Sequence, residues 1–366
     1  MLLLKNGQDI SGNRIEILID GESIVRIDES IETPTYCEVV DLNQKYVSSG
    51  WIDMHTHCYG RLKLYYDDPD LIGYRTGVTT VVDAGTTGAD DIGTFYQDIQ
   101  EKKTRVFAFI NVAHQGIKTQ DELSDLANIK ESMIQESIDR YNDFIIGIKV
   151  RMSASVVGNN GIVPLDMAKD ITQRIKLPLM VHIGSNPPLL IDILGRLESG
   201  DIVTHIFNGK ANGILDKHGN IIPEVLDAHR RGVVFDLGHG RDSFSFKVAQ
   251  AAFNQCLLCD TISTDIYHDN RVDGPVRNMS TTMNKLLKIG YSPRAILDMV
   301  TQKPAEVLGL KRFGTLKVGN VSDITIFDLE ELDDVLVDSM GHTETLNYGF
   351  KPKAVVVKGA YYDIES

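Results

Sequence analysis

His55 and His57 stand two residues apart in Asp53-Met54-His55-Thr56-His57, at the end of an apolar run. Side chains two apart on an extended strand point the same way, so both imidazoles can reach a single ion. Four more apolar runs close on residues of related chemistry: Ile148-Lys149-Val150-Arg151, Met180-Val181-His182, Val203-Thr204-His205 and Ser263-Thr264-Asp265. Each signal is weak alone. With 10 histidines in 366 residues, chance supplies about 0.3 His-x-His pairs, and one histidine closing a strand is more often a hydrogen-bonded core residue than a ligand. The joint pattern differs in kind: His, Lys, His, His and Asp, in that order at five run ends, make a donor set for divalent cations.

Such residues need a scaffold that brings distant run ends together. Over residues 49–312, short apolar segments alternate with amphipathic stretches, the sign of βα units around a buried parallel sheet. Eight strands are expected: Tyr46-Val47 with Gly50–His55, Thr79–Asp83, Val106–Val112, Ile145–Val150, Leu179–His182, Ile202–Ile206, Val233–Leu237 and Thr261–Asp265. Helices are expected over Asp121–Tyr141, Leu165–Arg174, Leu189–Leu197, Phe246–Leu258 and Pro293–Thr301, the last with Ser292 as N-cap and proline at its first position. This α/β order predicts a (β/α)8 barrel of TIM type, whose chemistry gathers at the carboxyl ends of its strands. The ligand-type residues fall at those ends.

The two termini read differently. Leu2–Leu4, Ile15–Ile19, Ile24–Ile27 and Glu38–Asp41 are short β-type runs set off by turn residues, and Gly314–Gly319, Asp323–Asp328 and Ala354–Gly359 match them. Neither set is large enough to stand alone, so residues 1–48 and 313–366 are expected to pair into one accessory β-sandwich, leaving 49–312 as the barrel.

Composition narrows the partners. A formal net charge of −14 repels phosphate backbones and acidic headgroups, so neither nucleic acid nor membrane is an expected partner. No apolar stretch approaches the length of a membrane span or of a signal-peptide core, and a cytoplasmic address is the default. Four cysteines make no disulfide framework. Cys256 and Cys259 read as two small buried side chains, with a redox or metal role as the alternative. A homo-oligomer is expected.

The ordered ligand set, with the β unit made from both termini, resembles the amidohydrolase superfamily of metal-dependent hydrolases, in its binuclear branch, over essentially the whole chain. The resemblance implies His55, His57 and Asp265 on one divalent ion, Zn2+ by family habit, His182 and His205 on a second, and Lys149 between them as N6-carboxylysine. A free ammonium, with a pKa of about 10.4, repels cations, so an unmodified Lys149 is no ligand. Carbamylation would make it an anionic bridge between ions roughly 3.5–4 Å apart. A salt-bridged lysine is the alternative, and the apolar setting Phe144–Val150 favours an inward position. Asp265 is the expected proton shuttle between an activated water and the leaving atom, with a purely ligating role as the alternative.

Two departures bear on the substrate. Dihydroorotases of the superfamily carry an arginine after the His-x-His element, where this chain has Cys58-Tyr59-Gly60, and His-Ala-Pro after the strand-eight aspartate, where this chain has Ile266-Tyr267-His268. Mononuclear nucleobase deaminases leave Lys149 without a place. The segments 147–153, 235–246 and 262–265 instead resemble a subgroup similar to deacetylases of small N-acyl or O-acyl carboxylic acids. That is the leading expectation, with a cyclic-amide hydrolase or adenine deaminase as the alternative and a metal-free scaffold as the third. Arg151, two residues past Lys149, is placed to fork onto a substrate carboxylate or to pair with a neighbouring acid. His239, between two glycines, is a candidate for the acyl oxygen or the carboxylate. Tyr59, Asn208, Arg241 and His268 are candidates from loops at the same mouth, and Arg277 is a weaker one.

Overall fold

Turn residues near the N-terminus separate five strands: β1 (Leu2–Gln8), β2 (Arg14–Asp20), β3 (Ser23–Asp28), β4 (Glu38–Asp41) and β5 (Tyr46–Ser49). Gly50 breaks the chain direction, and seven further strands follow: β6 (Trp51–Thr56), β7 (Val78–Ala84), β8 (Arg105–Asn111), β9 (Ile145–Met152), β10 (Leu179–Ile183), β11 (Ile202–Thr204) and β12 (Val234–Asp236). The chain ends in β13 (Ile324–Val337), β14 (Thr343–Val357) and β15 (Ala360–Asp363). The computed structural model describes residues 1–364, so positions 365–366 of the expected accessory unit lie outside the described residues.

Strands β6 to β12 form one parallel sheet in chain order. Every residue of β6 and β7 is buried, as expected of parallel strands covered on both faces. The sheet curls towards closure through the segment 261–266. Thr261 bridges Asp236 at one edge, Ile266 bridges Thr56 at the other, and the Asp265 N–H donates to His55 O at 2.7 Å. The eighth expected strand is therefore present in position but is not a regular strand. Asp265 has φ +50°, a left-handed conformation that interrupts a ladder.

Tyr46-Val47, expected at the start of the first barrel strand, belongs instead to the terminal sheet, where β5 pairs antiparallel with β13. That sheet runs β15-β14-β13-β5-β1-β2-β3, with β4 also on β1. Residues from both of its ends, including Ile24, Ile19, Leu4, Val47, Ile326 and Val356, share one apolar cluster. The sheet thus folds over on itself, which is how a single path of strands makes a sandwich-like core. Gly314–Gly319 forms turns and not a strand.

The helices differ in three places, one being the helix expected over Leu189–Leu197, which spans only Leu190–Leu194. Only Glu131–Arg140 of the expected Asp121–Tyr141 helix is α-helical, preceded by a 3-10 turn at Leu126–Asn128; the Asp125 carboxylate caps that turn at Ala127 N, 2.9 Å, and so ends any continuous helix there. The helix from Phe246 stops at Asn254. Cys256 is therefore exposed beyond it while Cys259 is buried, and all four cysteines are free thiols. The helix Pro293–Val300 begins as expected, with the Ser292 side chain accepting from Ala295 N at 3.2 Å. Beneath the carboxyl ends of the strands, Phe109, Met180 and Ile202 pack with Ala305 and Leu308 into an apolar floor.

Candidate metal centre and its cavity

The carboxyl ends of β6, β9, β10 and β11 and the segment 261–266 bring His55, His57, Lys149, His182, His205 and Asp265 around one cavity of about 260 Å³. His55, His205 and Asp265 each offer one ligand atom, all within 4.8 Å of one another. Asp265 Oδ1 lies 3.3 Å from His55 Nε2 and 3.1 Å from His57 Nε2. Lys149 Nζ is 3.3 Å from His55 Nε2, and the His182 and His205 rings meet edge to face, with centroids 4.6 Å apart.

Three of the four imidazoles are aimed by a bond at the far nitrogen. His55 Nδ1 meets Thr204 Oγ1 at 2.8 Å, His57 Nδ1 meets Thr86 Oγ1 at 2.7 Å, and His205 Nδ1 meets Gly238 O at 2.6 Å. Each bond leaves Nε2 facing the cavity. The anchors are themselves tied down: Thr86 Oγ1 donates to Asp83, and Thr204 Oγ1, Thr261 Oγ1 and Ser263 Oγ all donate to the buried Asp236 carboxylate. Outer-sphere bonds of this kind orient metal-ligating histidines. Imidazoles and a carboxylate that converge in this way fit a divalent transition metal by donor chemistry.

Burial sets the charge states. It pushes the Lys149 amine down to about 7 and His205 down to about 3. Burial acts to raise the Asp265 carboxyl, but the His55 and His57 imidazoles outweigh it and hold Asp265 well below the usual carboxylate range. Lys149 is fully buried, and its polar contacts are His55 Nε2 and the Met180 sulfur at 3.3 Å; among the described residues no carboxylate forms an ion pair with it. The salt-bridged alternative for this lysine therefore has no partner.

The profile of the Amidohydrolase family matches residues 46–361. The chain belongs to that family. A deacetylase of Enterococcus faecalis is 46% identical to this amidohydrolase over 365 residues, covering 99% of each chain. A crystal structure named as that of an adenine deaminase superimposes with a TM-score of 0.97 at 46% identity, covering 99% of each chain. Another, named as that of a dihydroorotase, gives 0.90 at 32% identity, covering 99% of this chain and 98% of that one.

The remaining candidates in the amidohydrolase divide. Arg151 and Arg241 line the cavity. Arg151, however, is already engaged: Nε donates to Glu122 Oε1 at 2.6 Å and Nη2 to Oε2 at 2.5 Å, a buried fork that leaves Nη1 towards Gln120. Four others lie off the cavity wall. Tyr59 packs on Phe95, and His268 stacks on Tyr66. Asn208 brackets its own turn, donating to His205 O and accepting from Lys210 N. His239 is fully buried, with Lys285 Nζ 2.6 Å from Nε2 and Gly240 O 2.8 Å from Nδ1. Arg277 pairs with Asp334.

Several wall residues carried no sequence expectation. Ser153, just past the end of β9, continues the alternation of Lys149 and Arg151, and Tyr267 lies two past Asp265, so counting by twos would have found both. Ser185 and Lys210 follow ligand-bearing run ends, and Asp242 and Ser243 follow β12, all on loops without a period, while Tyr65 and Gln120 reach the wall from remote segments.

Proposed function

We propose that this amidohydrolase removes a small acyl group from a small carboxylic acid, hydrolysing an amide or an ester bond. The observation that carries the reading is one cavity lined by His55, His57, Lys149, His182, His205 and Asp265, in a chain 46% identical end to end to a protein named deacetylase. In this reading His55, His57 and Asp265 would hold one cation and His182 and His205 a second. Zinc suits imidazole and carboxylate donors. When bound, the pair supplies Lewis acidity, which polarises a carbonyl and lowers the pKa of water.

The chain's own groups do the rest. The Lys149 amine would add carbon dioxide with loss of one proton, giving an anionic carboxylate able to serve as a further metal ligand; the absence of an ion-pair partner for this buried lysine among the described residues supports that chemistry. Asp265 takes a proton from the attacking water and delivers it to the leaving nitrogen or oxygen, so that acyl compound and water give an acid and an amine or alcohol. We assign the protein to the cytoplasm on its free thiols; no helix among the described residues is long and apolar enough to cross a membrane.

Metal content of protein purified without chelator, together with turnover on N-acetyl amino acids and acetoxy acids of both configurations, tests the reading. We expect close to two metal ions per chain and release of acetate that chelation abolishes. Ring opening of dihydroorotate or ammonia release from adenine, with no acetate release, would replace it with the activities named for the structural relatives.

A further inference from the structure

Two cations on the cavity wall, Lys210 and Arg241, have no assigned partner. Among the described residues, neither side chain makes a hydrogen bond or an ion pair. Arg151, the cation that spacing favours for substrate, forms a buried ion pair with Glu122, whose side chain is fully enclosed. That pair is electrically closed, and opening it would leave a carboxylate buried without a partner.

The free cations flank the reacting groups. A Cβ on Gly184 would lie 3.3 Å from His182 Nε2 and 3.6 Å from Lys210 Nζ, so the ammonium stands beside the His182 side of the centre. Arg241 follows Gly240, which has φ +56° and where a Cβ would come within 2.5 Å of Asp265 Oδ2. Only glycine suits that position, on both conformation and space. The exposed Asp242 offsets one of the two charges, so the rim keeps a single positive charge in a chain whose formal net charge is −14. An isolated positive site in an acidic protein selects anions by focusing the local field. The wall offers hydroxyls from Ser153, Ser155, Ser185 and Ser243 and no aliphatic side chain.

We propose that Lys210 and Arg241, and not Arg151, are the specificity-determining residues, recognising the single carboxylate of a small polar acyl substrate in this cavity. The inference rests on the deacylase reading and names the part of the substrate that is recognised. Arg151 is then a wall-forming residue whose charge is spent on Glu122.

Calorimetric binding to metal-loaded, full-length Asp265→Asn protein tests this apart from turnover. The probes are N-acetylalanine, N-acetylserine and O-acetyl-lactate of both configurations, each against its carboxamide. At least one acid should bind about ten- to a hundredfold more tightly than its amide. Lys210→Gln and Arg241→Gln, each added to that background, should remove most of the preference, while Lys210→Arg keeps it. Unshifted thermal melts will show that the variants fold, as expected of a half-buried and an exposed side chain without partners. If acids bind no better than amides, or if the Gln variants keep the preference, the proposal is overturned even when the native enzyme releases acetate. If acids bind through these two residues but no acyl compound is hydrolysed, the deacylase reading fails and this one stands.

Discussion

Asp265 and His205 hold left-handed backbone, at φ +50° and φ +75°. Such conformations cost roughly 1–3 kcal/mol each in a residue with a side chain and persist where surrounding structure over-determines them. Here the Asp265 N–H is bound to His55 O and its carbonyl accepts from Asn270 Nδ2 at 2.8 Å. Asparagine tolerates this conformation as aspartate does, so Asp265→Asn isolates the carboxylate from the backbone. We expect that variant to retain metal, measured by elemental analysis, while kcat falls by about 10²–10⁴, the usual worth of a general acid–base group. Retained turnover would assign the proton to another residue. Arg151→Ala should act on stability instead, lowering it by about 3–5 kcal/mol in urea titrations because Glu122 is left buried and charged. The six ligand-type residues were legible in the sequence because a polar group closing an apolar strand is conspicuous. Glu122 was not, since it lies in a stretch whose charges imitate a helix face, and Lys210 was not, since loops have no period to violate.

At the scale of elements, the loop 240–246 carries Arg241, Asp242 and Ser243 to the cavity and is held by the turn between β13 and β14. Ser339 Oγ accepts from Ser243 N at 3.1 Å and from Phe244 N at 3.2 Å. Asp338, 2% exposed, accepts from Met340 N and His342 N at 2.8 Å and from Phe246 N at 3.1 Å. A hairpin rooted in the terminal sheet thereby braces a loop at the mouth of the barrel. Asp338→Ala orphans those donors and should cost at least ~2 kcal/mol. The specific expectation is faster hydrogen exchange across 240–246 and a several-fold rise in KM, with metal content unchanged. If exchange there stays as slow as in the native protein, the hairpin does not hold the loop. The sequence revealed the β character of 323–328 and 354–359 but not the reach of the hairpin, because residues 329–350 mix apolar contacts to the barrel with exposed charges and so lack a clean alternation. The barrel strands were readable for the opposite reason: burial on both faces makes them continuous apolar runs.

The whole molecule turns on the seam where β6 leaves the terminal sheet. Trp51, the one tryptophan in the sequence, is fully buried there between Phe327 of β13 and Phe350 of β14, at centroid distances of 5.7 and 6.3 Å. Its backbone N–H donates to Thr325 Oγ1 at 3.1 Å, and its indole N–H to Ser48 Oγ at 3.2 Å. A second tie crosses nearby, from Arg105 of β8 to Asp323 at 2.7 Å and Glu22 at 2.6 Å. Chains of this length commonly unfold through intermediates, but a seam built from a shared aromatic cluster and a largely buried ion pair should make barrel and terminal sheet lose structure together. In urea with saturating metal, tryptophan fluorescence, which reads only the seam, and far-ultraviolet circular dichroism, which reads all strands and helices, should therefore trace one superimposable transition. Arg105→Met strands Asp323, which burial already pushes towards its neutral form; it should lower both midpoints by the same amount, equivalent to ~3 kcal/mol. A fluorescence transition that precedes the loss of circular dichroism in the native protein would mean that the sheet detaches while the barrel persists, and the metal centre would then owe nothing to the chain termini.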